Sequence, residues 1–153
     1  MTREFCIVLA AGGSAALLLA AYAFQHIGGM APCALCIWQR WPHGAAIVLG
    51  GLALVLGGRA LAWLGALAAL TTAGIGLYHT GVERGWWQGP STCSGADIGS
   101  LSPEELFEQI MTAPLVRCDE VAWQMLGLSM ASWNAVAALG LAVLWVLAAT
   151  RTP

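Results

Sequence analysis

Four long apolar stretches divide this chain, at about 5–24, 36–56, 60–78 and 128–149. Each is close to the ~20 residues a helix needs to cross the hydrocarbon of a bilayer. In lipid every peptide group must find its partner within its own segment or in a closed barrel, and uninterrupted apolar runs lack the alternation of barrel strands. The reading is an all-α integral membrane protein, a four-transmembrane-helix bundle forming one membrane domain over 1–153. Composition excludes the soluble alternative: 59% hydrophobic and 9% charged residues, with no lysine, leave too little polar surface for a wetted globular domain. The first stretch is longer than a signal-peptide core, so cleavage near Ala21-Tyr22-Ala23 is not expected.

An even number of spans puts the loops at about 25–35 and 79–127 on the same face, whichever way the chain is inserted. Gly57-Gly58-Arg59 joins spans two and three and predicts a tight antiparallel hairpin. Small residues such as Ala10-Ala11-Gly12-Gly13-Ser14 and Gly74-Ile75-Gly76 allow close helix approach. The basic residues divide evenly, Arg3, Arg59 and Arg151 against Arg40, Arg84 and Arg117. Because Arg117 lies deep in a long loop and Arg40 opens a helix, both termini are placed in the cytoplasm.

The second loop holds seven of the eight acidic residues and is the one sizeable water-facing segment. Within it Ser102, Pro103 and Glu105 form a helix start, followed by an apolar set of Leu106, Phe107, Ile110 and Met111 that suits a short interfacial helix. Trp86, Trp87 and Trp123 fall near span ends, where tryptophans form an aromatic belt or line a partner groove.

Reactivity is concentrated in cysteines. Cys33-Ala34-Leu35-Cys36 follows Pro32 and opens the second helix, whose N-terminal partial charge favours thiolate, the form that exchanges. Cys93 and Cys118 enclose a loop with Gly95, Gly99 and Pro114, where a disulfide could form and break or act as a permanent staple. The four cysteines could also be weighed as a zinc site, but no second close pair or ligand knuckle accompanies the first, and no metal is expected. Arg40 lies four residues beyond Cys36, on the same helical face, where a permanent cation stabilises a thiolate or a reduced carbonyl oxygen, or snorkels to headgroups. Cys6, at the far end of span one, reads as a packing residue.

The ordered set Phe24-Gln25-His26, PCALCIWQR from Pro32 to Arg40, Tyr78-His79-Thr80-Gly81-Val82-Glu83, GWWQGPSTC ending at Cys93, and GLSMASWN from Gly127 to Asn134 resembles the DsbB family of disulfide bond formation proteins. The likeness covers nearly the whole chain. It implies a quinone-linked thiol oxidase of the bacterial inner membrane, multi-pass, with its redox cysteines in the periplasm. It implies as partner a periplasmic thioredoxin-fold dithiol protein of the DsbA type, and as cofactor a membrane quinone, ubiquinone or menaquinone; nucleic acid is not an expected partner.

Carried over, Cys93 takes the partner in a mixed disulfide, Cys118 exchanges with Cys33, and Cys36 faces the quinone with Arg40 beside the ring. His79 joins the quinone-binding set and, with Glu83, could assist proton delivery; otherwise it is an interfacial histidine bonded to loop or headgroup. Two alternatives remain: a vitamin K epoxide reductase-like protein, in which the helix-borne pair lies in a late span, and a non-catalytic metal-binding or scaffold bundle. Whether Cys33 is bonded to Cys36 or to Cys118 is not legible in the sequence.

Overall fold

The computed structural model describes residues 2–90, 93, 102–112 and 116–151, without the side chains of 105, 106, 109, 110 and 112. Its elements are α1 (Arg3–His26), α2 (Ala34–Leu56), α3 (Arg59–Glu83), α4 (Pro103–Thr112), β1 (Gln124–Met125), β2 (Leu128–Ser129) and α5 (Met130–Thr150). α1, α3 and α5 are long and apolar enough to cross a membrane. α2 has the length, at 23 residues, but its first half carries Gln39, Arg40, Pro42 and His43.

Side-chain caps set the helix starts. The Thr2 hydroxyl accepts from Phe5 N at α1, the Cys33 sulfur accepts from Cys36 N at α2, and the Ser129 hydroxyl accepts from Ser132 N at α5. The α2–α3 connection is as short as expected, and Gly57 and Gly58 take φ of 72° and 87°, a region other residues enter at a cost. α1 extends two residues beyond the apolar run at each end and α2 starts two residues earlier, and two further boundaries differ for a definite reason. α3 continues past Tyr78 to Glu83, because polar residues at its end find partners inside the bundle. The last helix begins at Met130 rather than Leu128, because Leu128 and Ser129 pair with Met125 and Gln124 in a two-stranded hairpin that hydropathy does not reveal.

The four long helices pack as a ring in the order α1, α2, α3, α5. Arg3 Nη2 donates to Gly58 O at 2.7 Å and Arg59 Nε donates to Ala149 O at 2.7 Å, fastening the start of α1, the α2–α3 turn and the end of α5 at one pole. Cys33, His79 and Ser129 mark the other. Between the poles the core consists of small residues around one large one: Trp145 is fully buried among Cys6, Ile7, Ala10, Ala46, Ala53, Ala62, Ala66 and Ala142. A Cβ on Gly65 would stand 2.5 Å from the Trp145 ring and one on Gly50 2.4 Å from Ala11, so these glycines let the helices close around the indole. Large apolar side chains including Leu19, Val48, Val55, Leu67 and Val143 point outward, the arrangement a lipid-facing surface requires.

α4 begins at Pro103, where the start signal lies, with Phe107 and Met111 exposed. Leu106 and Ile110, the other half of its expected apolar face, lie outside the described side chains. Trp87 stacks on Tyr78 with centroids 5.9 Å apart and donates from Nε1 to Tyr78 O, while Trp123 packs on Phe24. Cys6 is a buried free cysteine in the core near the opposite pole.

Candidate functional site

All four cysteines of the two couples meet at one pole. Cys93 and Cys118 are joined by a disulfide, and the Cys118 amide donates to the Cys93 carbonyl at 2.8 Å. Arg117 Nη2 donates to Asp119 Oδ2 at 2.6 Å on the exposed side of this bridge. The hydrogen bond from Arg117, ahead of the guanidinium's charge, holds the Asp119 carboxyl below its usual range. Beneath the bridge Cys33, Leu35, Val82, Cys93 and Cys118 form a small apolar cluster, with Ala34, Cys36, Ile75 and Val116 against it.

Cys33 sits where the chain enters α2, which fixes both its direction and its chemistry. As the N-cap it accepts the Cys36 amide at 3.2 Å, and its sulfur lies 2.8 Å from that of Cys36. Donation to the Cys36 sulfur, then burial, then the charge of that neighbour push the Cys33 thiol well above the ordinary range. Within the reduced pair Cys33 is therefore the sulfur that keeps its proton longer.

His79 completes the centre. Its Nε2 is 3.6 Å from Cys33 Sγ, and Cys33 Sγ, His79 Nε2 and Cys118 Sγ all lie within 4.8 Å of one another. The side chain is almost wholly buried and hydrogen-bonds to the main chain of Cys118, a residue of the second loop. Burial follows from α3 continuing through this residue instead of ending at Tyr78. Glu83 follows one turn later, its Oε1 3.9 Å from His79 Nε2 and its Oε2 accepting from the Ser129 hydroxyl.

Arg40 faces α1. Its Nη1 donates to Gln25 Oε1 at 2.7 Å, and the guanidinium lies over the Tyr22 ring at 4.9 Å. Arg40 Nε is buried and has no partner among the described residues.

Several site residues carry no role in the sequence reading. Gln39, Thr72, His43 and Asn134 form a buried network behind His79: Gln39 Nε2 to His79 Nδ1 at 3.1 Å, Asn134 Nδ2 to Gln39 Oε1 at 2.8 Å, and His43 Nε2 to Asn134 Oδ1 at 3.0 Å. The available signal was their polarity inside apolar stretches, where polar side chains are expensive and face the bundle interior.

A helical bundle with apolar outer faces, carrying at one pole a disulfide and a vicinal thiol pair within reach of each other, is an integral membrane thiol–disulfide protein. A family profile described as disulfide bond formation protein DsbB matches residues 3–148. The chain is 32% identical over 152 residues to disulfide bond formation protein B of Stutzerimonas stutzeri, covering 92% of this chain and 91% of that protein. It is 35% identical over 143 residues to the protein of that name from Xanthomonas oryzae pv. oryzae, covering 87% and 81%. With the counterpart from Xanthomonas axonopodis pv. citri it shares 36% identity over 141 residues, 86% and 80% of the two chains. No solved structure matches. The chain belongs to the DsbB family, whose members are disulfide-generating thiol oxidoreductases.

Proposed function

We propose that this protein reoxidises a periplasmic dithiol protein of the DsbA type and passes the electrons through its two cysteine couples to a membrane quinone. On this reading all four long helices span the inner membrane as one domain, both termini are cytoplasmic, and the cysteine pole is periplasmic. α2 enters the bilayer despite its polar first half because Gln39 and His43 are buried and hydrogen-bonded within the bundle, and the Arg40 guanidinium packs on α1. α4 lies in the second periplasmic loop, at the interface.

Each transfer is attack of a thiolate on a disulfide sulfur. Cys93 takes the partner in a mixed disulfide, releasing Cys118. Cys118 then attacks Cys33 of an oxidised Cys33–Cys36 pair and expels Cys36 as thiolate, which the N-terminal end of α2 stabilises. The partner's second thiolate attacks its own sulfur in the mixed disulfide, closing the partner's disulfide and releasing Cys93 as thiolate, which then attacks Cys118 and leaves Cys33 and Cys36 reduced for the quinone. The single observation that carries this order is the approach of Cys118 Sγ to within 4.8 Å of Cys33 Sγ, with Cys36 Sγ 2.8 Å from Cys33 as the sulfur to be expelled.

The residues at this pole suit a quinone. Arg40 Nε is a buried donor without a partner, able to donate to a carbonyl oxygen, and the exposed Ile37, Trp38 and Trp41 of the same helix give an apolar approach from lipid. Arg40 and Cys36 would hold the ring, with His79 at its margin; when bound, a quinone supplies a sink for two electrons and two protons.

Purified protein in detergent, given a reduced DsbA-type dithiol and a soluble ubiquinone analogue, is expected to reduce the quinone, with Cys36→Ser abolishing turnover. Intact turnover in Cys36→Ser would refute the relay.

A further inference from the structure

We propose that Gln39 is a positioning residue that holds His79 in the Nε2–H tautomer, so that its ring presents a hydrogen-bond donor to the Cys33 sulfur. The inference rests on the relay above and names a residue that sets its chemistry.

Protons are assigned from heavy-atom neighbours, and here two main-chain carbonyls, which can only accept, settle the polarity of the whole network. Thr72 Oγ1 lies 3.0 Å from Gln39 O and must donate to it. The Thr72 oxygen can then only accept from Asn134, 3.3 Å away, so the atom facing it is the Asn134 amide nitrogen. That nitrogen also donates to Gln39 Oε1 at 2.8 Å, which leaves the Gln39 amide nitrogen at the other end of its side chain. There it donates to Leu35 O at 3.1 Å, a second carbonyl that requires nitrogen at this position. Its remaining hydrogen meets His79 Nδ1 at 3.1 Å, so Nδ1 must be the acceptor. The neutral ring then carries its proton on Nε2, 3.6 Å from Cys33 Sγ, with the Cys118 main chain and Glu83 Oε1 as further acceptors near the ring.

The consequence falls on one step. When the Cys93 thiolate attacks Cys118 in a Cys33–Cys118 disulfide, the Cys93–Cys118 bond forms and the Cys33–Cys118 bond breaks. The electron pair of the broken bond leaves on Cys33. A donor held at Nε2 stabilises that charge without transferring a proton, and a better-stabilised leaving thiolate departs faster. The same proton removes the Nε2 lone pair, so Cys33, His79 and Cys118 form a thiolate-stabilising site and not a set of metal ligands, although their atoms are near enough for one.

The test reads His79 and Cys33 directly, with neither dithiol partner nor quinone present. Nitrogen NMR of histidine-labelled protein, with His79 assigned by its loss in His79→Leu, is expected to show Nε2 protonated and Nδ1 bare. A neutral ring protonated at Nδ1 would overturn the proposal even if Gln39→Met does not fold. In reduced protein carrying Cys36→Ala, where no neighbouring sulfur holds the proton on Cys33, the pH midpoint for alkylation of Cys33, read by mass spectrometry, is expected to rise by about one unit when Gln39→Met is added, the scale of one charge-assisted hydrogen bond. His79→Leu should produce the same rise, and the double variant no more than either. An unmoved midpoint in Gln39→Met, or shifts that add, would show that Gln39 does not act through His79. Failure of quinone reduction with these results intact would count against the relay alone.

Discussion

Cys33 is the residue through which the two couples meet, and its position at the N-cap of α2 accounts for most of its behaviour. The motif spacing and Pro32 put it at a helix start, and that much is plain in the sequence. The cation at Arg40 and the histidine at 79 are also legible as candidates, because a fixed charge and an imidazole beside a C-x-x-C pair have evident uses. Hidden in the sequence are the partners of those groups: Gln39 and Asn134 are 95 positions apart, and the bond between them depends on how α2 and α5 pack. The division of charge within the pair depends likewise on folded geometry, since donation to Cys36 and burial hold the proton on Cys33. Iodoacetamide added to the reduced protein at neutral pH is therefore expected to label Cys36 well before Cys33. Equal or reversed rates, read by mass spectrometry, would contradict this assignment of the thiolate.

At the scale of elements, hydropathy locates the long helices because a membrane helix must be apolar along its length, but it misplaces ends that are satisfied by polar contacts inside the bundle. α3 runs five residues beyond its apolar stretch since His79, Thr80 and Glu83 all find partners there. The hairpin before α5 is invisible to the same measure because its strands are two residues each. Small residues are legible as a packing stripe, yet only the structure separates those that touch a neighbour from those that do not. A methyl at Gly65 meets the Trp145 indole at 2.5 Å, whereas one at Gly74 has nothing within 4 Å. Gly65→Ala should therefore destabilise the bundle by about 1–3 kcal/mol, the usual cost of overpacking. Gly74→Ala should be neutral or slightly stabilising, as expected for alanine over glycine in a helix. Thermal unfolding in detergent checks the pair, and equal midpoints for the two variants would mean that α3 does not close on Trp145 as described.

The whole molecule separates its two tasks along its length. One pole, tied by Arg3 and Arg59 to backbone carbonyls, and the alanine-rich middle around Trp145 hold the bundle shut; the other pole carries every group of the proposed exchange. That both cysteine couples share a face follows from counting spans, but their contact is a property of the fold, because the loop from α3 to α5 must return over the start of α2 to bring Cys118 onto Cys33. This return is the central claim, and one measurement addresses it directly. In protein carrying Cys36→Ala and Cys93→Ala, mild oxidation followed by non-reducing peptide mapping should recover a disulfide between Cys33 and Cys118. Recovery of both as free, alkylated thiols under conditions that oxidise the wild-type pairs would contradict the account.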